Sequence, residues 1–413
     1  MPTEPSITPR PARQVPAYPG PMSGVRVLDL GVWVAGPFAA SLLADFGAEV
    51  IKVERPDEGD PIRQGDRLER PGSHWCVDGR NKKSLTLDLQ TERGRELLGQ
   101  LMAQADVVID NHRPGMLDDW GFPEARLRAL NPDLIVVNVS GFGQTGPYAQ
   151  RLAYDRIAAA MGGLLYLNGY PDRPPVRTGL IVSDYMTAMF NVMAVLMALY
   201  HRDARGGRGQ RIDVAMYECI FRIMENTVAA HGKLGVVRER IGNVSPGFYP
   251  DDMFETADGK WIVLSAVSNH QFAALCRLMG QEALLTDPAY ATQADRGKQL
   301  AWLQERIGAW VKSHPAATVL EQLAQARLPC APVMRIDDIV RDPHYQARGT
   351  IIEVEDPQFG LLKQPAVVPR FSETPGQVHR GAPPLGADTD TILRDILHLS
   401  EAEIAVLHQH QIV

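Results

Sequence analysis

Cysteine is scarce in this chain of 413 residues: Cys76, Cys219, Cys276 and Cys330 stand far apart, with no C-x-x-C spacing. That excludes a disulfide framework and a metal knuckle and reads as free buried thiols. Basic charge is not in excess either. With 42 Lys and Arg against 49 Asp and Glu, mixed along the chain, there is no cationic footprint for nucleic acid. The longest apolar run, Met186 to Tyr200, contains Asn191 and falls short of the roughly 20 residues a membrane span needs, so it reads as a buried helix. No metal site is expected, because His408 and His410 are the closest of the histidines and sit in the last residues, where they face solvent. The P-loop, zinc-protease and nucleophile-elbow patterns are all missing, which removes the common NTPase, zincin and α/β-hydrolase readings. The turn Gly31-Val32-Trp33-Val34-Ala35-Gly36-Pro37, with Glu54 further on, lacks the middle glycine of the dinucleotide fingerprint.

What is present is a regular alternation. Val25–Leu30, Glu49–Glu54, Val107–Ile109 and Leu134–Val139 read as strands, with helices over Ala35–Phe46, Arg93–Ala103 and Glu124–Leu130 between them. Strands alternating with helices predict an α/β, Rossmann-like open parallel sheet with covered faces, and ligands of such sheets sit beyond the carboxyl ends of the strands. Gly31, Gly36, Asn111, Arg113 and Gly141 fall there. The pattern breaks at Arg205-Gly206-Gly207-Arg208-Gly209, and a strand at Lys260–Leu264 with helices of its own marks a smaller α+β domain. The expected division is a flexible proline-rich extension over 1–20, a large domain over 21–215, a linker helix and small domain over 216–340, and a C-terminal segment over 341–413. The N-terminus has no signal-peptide core, so a cytoplasmic location is expected.

One carboxylate stands out. In Pro174-Pro175-Val176-Arg177-Thr178-Gly179-Leu180-Ile181-Val182-Ser183-Asp184, Asp184 falls where the apolar segment Tyr185–Tyr200 begins. A carboxylate there can cap a helix, accepting first-turn N–H bonds, or attack a carbonyl. His112, in Asp110-Asn111-His112-Arg113-Pro114-Gly115, sits in a polar turn after a strand, where simple turn chemistry accounts for it as well as ligand binding does.

These blocks, together with Ala48–Arg55, Asn81–Leu89 and Ser140-Gly141-Phe142-Gly143, resemble the class III CoA-transferase family, the group of formyl-CoA transferase, carnitine CoA-transferase and α-methylacyl-CoA racemase. The likeness runs from Gly24 to about Ala215 and resumes at Leu385–Thr389. It implies a large domain completed by the returning C-terminal segment, and two chains threaded as an interlocked homodimer. It implies an acyl-CoA thioester and a carboxylic acid as substrates, with no permanently bound cofactor, metal, nucleic acid or membrane. Asp184 matches the aspartate that attacks the thioester, and Val34, Ala35, Arg55, Leu87, Asn111, His112, Arg113 and Tyr154 match positions lining the CoA nucleotide and pantetheine. A guanidinium suits phosphate through its planar fork, with a solvated surface charge as the alternative for Arg55 and for Arg113.

The chain departs from the family in places. Asp119 stands where a basic residue is common, and Asn243–Tyr249 replaces the glycine-rich loop of formyl-CoA transferase, which argues against formyl and oxalate. Tyr154 stands where the racemases carry histidine, and a phenol of ordinary pKa about 10 is a poor base near neutrality. The expected activity is therefore CoA transfer from an acyl-CoA, such as a dicarboxylyl-CoA of the succinyl type, to a carboxylic acid. An acyl-CoA racemase or isomerase, or a non-catalytic CoA-binding protein, is the alternative. Arg177 is the candidate holder of a distal carboxylate on the substrate.

Overall fold

The computed structural model describes residues 20–64 and 72–413, so the expected N-terminal extension lies, apart from Gly20, outside the described residues. Two compact units are present. One comprises the described residues up to Leu165 with Arg177–Val237 and Ala347–Val413, and the other Tyr166–Val176 with Arg238–Gln346.

The large unit is built on six parallel strands: β1 (Arg26–Asp29), β2 (Glu49–Glu54), β3 (Lys82–Thr86), β4 (Val107–Asp110), β5 (Ile135–Ser140) and β6 (Arg211–Ala215). Their order is β3-β2-β1-β4-β5-β6. Runs of Val and Ile suit strands covered on both faces, and two core layers follow. Leu28, Ile51, Leu85, Val108 and Val136 face one layer with the helix Glu92–Ala103 and the C-terminal helices. Val27, Val50, Val107 and Val137 face the other, with the helices Pro37–Asp45 and Val182–Ala204. β3 is absent from the hydrophobic pattern because its first residue, Lys82, is a fully buried lysine. The C-terminal segment is tied to that edge, where the N–H of Ser84 donates to Asp388 (2.9 Å) and that of Thr86 to Thr389 Oγ1 (3.0 Å).

Two expectations need correction. Residues 216–237 belong to the large unit, not the small one, because the helix Met216–Arg222 packs against the helices Asp155–Met161 and Val182–Ala204. The apolar run forms a helix of 23 residues, Val182–Ala204, longer than expected and buried along one face only. Thr187, Asn191, Val195 and Ala198 face the sheet, while Met189, Met193, Leu196, Met197 and Tyr200 are exposed at near-helical spacing. Among the described residues this is the one helix long and apolar enough to cross a membrane.

The small unit has a three-stranded antiparallel sheet, Asp251–Glu255, Trp261–Ser265 and Cys330–Pro332, covered by the helices Asn269–Leu278, Leu300–Lys312 and Ala316–Gln325 around Ile262, Leu264, Ile307 and Leu323.

Candidate active site

Strand order reverses between β1 and β4, so the connections leaving their carboxyl ends diverge and leave a crevice, the usual ligand position of such sheets. The turn after β1 forms one wall. Trp33 has φ +63°, a left-handed conformation costly for a bulky side chain. Two side chains from elsewhere hold it there. Asn111, directly after β4, accepts the N–H of Val32 and donates to its carbonyl, both at 2.7 Å, while Asp60 accepts the N–H of Trp33 at 3.0 Å. Gly31 is required, since a Cβ would lie 2.9 Å from Pro37 Cδ and 3.0 Å from Asn111 Oδ1.

Behind the turn lies a set of buried charges. Lys52 and Lys82 are both 0 % exposed. Lys52 Nζ lies 2.8 Å from Asp60 and 3.7 Å from Asp29, and Lys82 Nζ donates to Asp29 (2.9 Å) and to the Pro37 carbonyl (2.7 Å). Next to them Glu54 accepts two bonds from Arg63 (2.7 and 2.8 Å) and one from Ser84 Oγ (2.7 Å). Buried ions persist only when paired and hydrogen-bonded. The lysines of these sequence blocks thus serve the turn from behind, not a ligand.

Asp184 is different. The helix starts at Val182, so Asp184 is its third residue, and the N-cap, Ile181, provides no side-chain bond. The cap comes instead from Asp155, which accepts the N–H of Ser183 at 2.7 Å. The reading of Asp184 as a helix cap is therefore corrected: among the described residues its carboxylate accepts no hydrogen bond. Burial, with the Asp155 carboxylate adding to it and His74 opposing, pushes the Asp184 carboxyl up to about 7. The next residue, Tyr185, is half-buried and stacks edge-on against Phe38 (4.7 Å) in an apolar cluster with Val34, Ile62, Trp75, Ala382 and Ile181. His74 Nε2 lies 2.9 Å from the Tyr185 hydroxyl and 3.3 Å from Asp78 Oδ2.

The other expected contacts spread around this crevice. Val34 and Ala35 are buried, and the Ala35 carbonyl accepts from Asn191 of the long helix (3.0 Å), which joins the turn to the helix bearing Asp184. Asn111 is occupied by the turn, as described. His112 bonds Asp110 through Nδ1 (2.7 Å) and packs edge-on against Trp120. Arg113 is half exposed and paired with Asp119, so the unusual acid meets the arginine of its own turn. Tyr154 is 70 % exposed, immediately before the capping Asp155. Arg55 lines a cleft of about 470 Å³ with Asp57, Asp88, Gln90, Gln411 and Val413, and bonds Asp57 at 2.9 Å. Leu87 lies beside that cleft, but its side chain is 1 % exposed in the core, so only its backbone could meet a ligand. Arg177 bonds only neighbouring backbone, the Thr178 and Gly179 carbonyls. Sequence reasoning missed His74, Asp78 and Asp60. Of these only Asp60, before Pro61, carried a local signal, that of an N-cap.

The family model for CoA-transferase family III matches residues 22–389. The chain belongs to that family. It is 42 % identical over 397 residues to succinyl-CoA–D-citramalate CoA-transferase of Chloroflexus aurantiacus, covering 96 % of this chain and 98 % of that one. It is 33 % identical to succinate–glutarate CoA-transferase of Agrobacterium fabrum, over 91 % of this chain and 96 % of the relative. A CaiB/BaiF family protein from Brucella suis has the same fold, with a TM-score of 0.81 at 34 % identity and coverage of 91 % and 99 %. This family III chain is an acyl-CoA:carboxylate CoA-transferase, and CoA thioesters are its substrates.

Proposed function

We propose that the enzyme moves CoA from a dicarboxylyl-CoA of the succinyl type to a second carboxylic acid, with Asp184 as the nucleophile. The supporting observation is a half-buried carboxylate with no hydrogen-bond partner among the described residues, in the first turn of a long helix beside the β1 turn. A carboxylate without hydrogen-bond donors is the better nucleophile, and the helix N-terminus favours the oxyanions formed there. An Asp184 oxygen attacks the thioester carbonyl, the C–S bond breaks, and CoA thiolate leaves a mixed anhydride. The thiolate attacks the aspartyl carbonyl and expels the donor acid, giving an aspartyl-CoA thioester. The acceptor carboxylate attacks that thioester, CoA thiolate leaves again, and the thiolate takes the acceptor acyl group, restoring the Asp184 carboxylate. Proton and electron counts are unchanged over the cycle.

Val34 and Ala35 at the β1 turn, Asn111, His112 and Arg113 at the β4 turn, Tyr154, Arg55 and the Leu87 backbone provide the surface for CoA on this reading. The succinyl-type donor is supported by the relatives named for succinyl-CoA and succinate. Hydroxy- and alkyl-substituted diacids are the acceptors to test first. A second copy of the chain fits the exposed apolar stripe of Met189, Met193, Leu196, Met197 and Tyr200, in an assembly working in the cytoplasm.

The test is to mix the protein with a panel of acyl-CoA thioesters, trap with hydroxylamine, and read peptides by mass spectrometry. Asp184 should become its hydroxamate with succinyl-CoA and remain unmodified with CoA alone. Asp184→Ala should bind CoA without turnover. An unmodified Asp184 with every donor, or an active Asp184→Ala enzyme, would overturn the reading.

A further inference from the structure

The cleft of about 470 Å³ at the carboxyl ends of β2 and β3 is large enough for a small ligand, but its charge runs against a phosphate site. Arg55 is the one cation among the described residues that line it, and its guanidinium is already answered twice. Nη2 lies 2.9 Å from Asp57 Oδ2 and Nη1 lies 3.5 Å from Glu58 Oε2, with all three side chains more than half exposed. Asp88 brings a third carboxylate. Its Oδ1 accepts the Gln90 N–H at 2.9 Å, and its second oxygen accepts no hydrogen bond among the described residues. Arg95, on the helix that follows, is held by the Leu89 and Gln90 carbonyls (3.0 and 2.7 Å) and is not among the lining residues. Exposed pairs such as Arg55 with Asp57 are individually weak, so the sum decides: one positive charge against three negative ones. A phosphate arriving at Arg55 has to share its fork with Asp57 and is repelled by the other carboxylates. A nucleoside meets the reverse situation, since the open Asp88 oxygen accepts from a hydroxyl or an exocyclic amine. In nucleotide sites an acid at the ribose suits the free hydroxyl, whereas a ribose phosphate calls for an arginine.

We propose that this cleft receives the adenosine end of the CoA thioester without net attraction for its 3′-phosphate, so that the enzyme accepts thioesters of dephospho-CoA about as readily as those of CoA. The inference deepens the CoA surface proposed above and rests on Arg55 belonging to it. It does not involve Asp184. Asp57, Glu58 and Asp88 are on this view the residues that set selectivity at the nucleotide end, by cancelling the one cation that would otherwise read the phosphate.

The test is isothermal titration of the full-length enzyme with CoA and with dephospho-CoA at low salt. The two dissociation constants should agree within about threefold, whereas a phosphate bonded by one free guanidinium would make CoA the tighter ligand by about tenfold or more. A tenfold preference in the wild type would overturn the proposal. Asp57→Asn combined with Glu58→Gln releases Arg55, so CoA should tighten by about five- to tenfold and dephospho-CoA by about twofold or less, the preference closing again as salt rises. No preference opening in that double variant would overturn the proposal as well, because the acids would then not be what masks Arg55. Gln90→Trp fills the cleft and should weaken both ligands alike, by about tenfold for a nucleoside shut out of its pocket. Asp57, Glu58 and Gln90 are exposed, so these substitutions leave the core untouched. If Gln90→Trp weakens neither ligand, the adenosine end lies elsewhere and the CoA surface itself fails. If it weakens both while the wild type prefers CoA tenfold, the surface stands and the phosphate assignment alone falls. Binding needs no acyl transfer, so either result is independent of the trapping experiment on Asp184.

Discussion

Behind the β1 turn, Asp29, Lys52, Asp60 and Lys82 are all buried and each charge is answered by another, whereas Asp184, a short way along the same crevice, holds a half-buried carboxylate that no hydrogen bond answers. Both cost desolvation. In the first set that cost is offset by short ion pairs and by bonds to Gly31 and Pro37, and the return is a rigid turn. At Asp184 it is left largely uncompensated, which is the state a nucleophile requires. Of these groups, the paired ones hold the turn, and Asp184 is the one whose carboxylate oxygens are left open, as the proposed nucleophile needs.

The comparison breaks first on the saturated side. Asp29→Asn removes the one carboxylate that both Lys52 and Lys82 pair with, leaving the buried Lys82 ammonium without its ion pair and Lys52 with Asp60. Loss of one member of a buried network should cost about 3–5 kcal/mol, measured as a lower midpoint of urea unfolding. A midpoint within experimental error of wild type would mean that these lysines do not depend on Asp29.

The unsaturated side predicts the opposite sign. Asp184 titrates near 7 when folded and near 3.8 in an unfolded chain, so between those values the folded state holds the extra proton and stability falls as pH rises. Well below pH 3.8 the carboxyl is neutral in both states and the effect vanishes. Asp184→Asn, inactive on the reading above, should therefore be more stable than wild type by roughly 4 kcal/mol at pH 8 and by well under about 1 kcal/mol at pH 4. Thermal unfolding at the two pH values measures it, and a gain that does not change with pH would place the effect in packing instead.

How much of this could be read from the residues alone follows the same division. The strands of the sheet are legible because they are runs of Val and Ile, with one exception: β3 opens with Lys82-Lys83-Ser84, and a buried lysine reads as surface to any hydrophobic pattern. Asp184 is legible through the likeness of its block to known transferases. Its surroundings are not, since Asp155 reaches Ser183 across 28 residues and His74 Nε2 reaches Tyr185 across 111 residues of sequence, and no local spacing encodes such meetings. The capping alternative fails for that reason. Asp184 stands at the right place in the chain, but Asp155 arrives from another helix and reaches the Ser183 N–H first. Local pairs are the converse case: Arg55 with Asp57 and Arg113 with Asp119 are near neighbours in sequence, and the unusual Asp119 was visible before its partner was.

That last pair gives the smallest effect. Arg113 and Asp119 are both about half exposed, so their ion pair is worth less than about 1 kcal/mol and Asp119→Asn should leave stability unchanged. Its consequence lies in binding. On the reading that Arg113 meets a CoA phosphate, Asp119 competes for the same guanidinium fork and adds a negative charge beside an anionic ligand. Asp119→Asn should then tighten CoA binding by about two- to fivefold at low salt, with the gain shrinking as ionic strength rises, since an exposed charge is screened within about 10 Å at 0.1 M salt. Isothermal titration of CoA at two salt concentrations reads both. Unchanged affinity at low salt would place Arg113 away from the phosphates and leave its pairing with Asp119 as a feature of the turn alone.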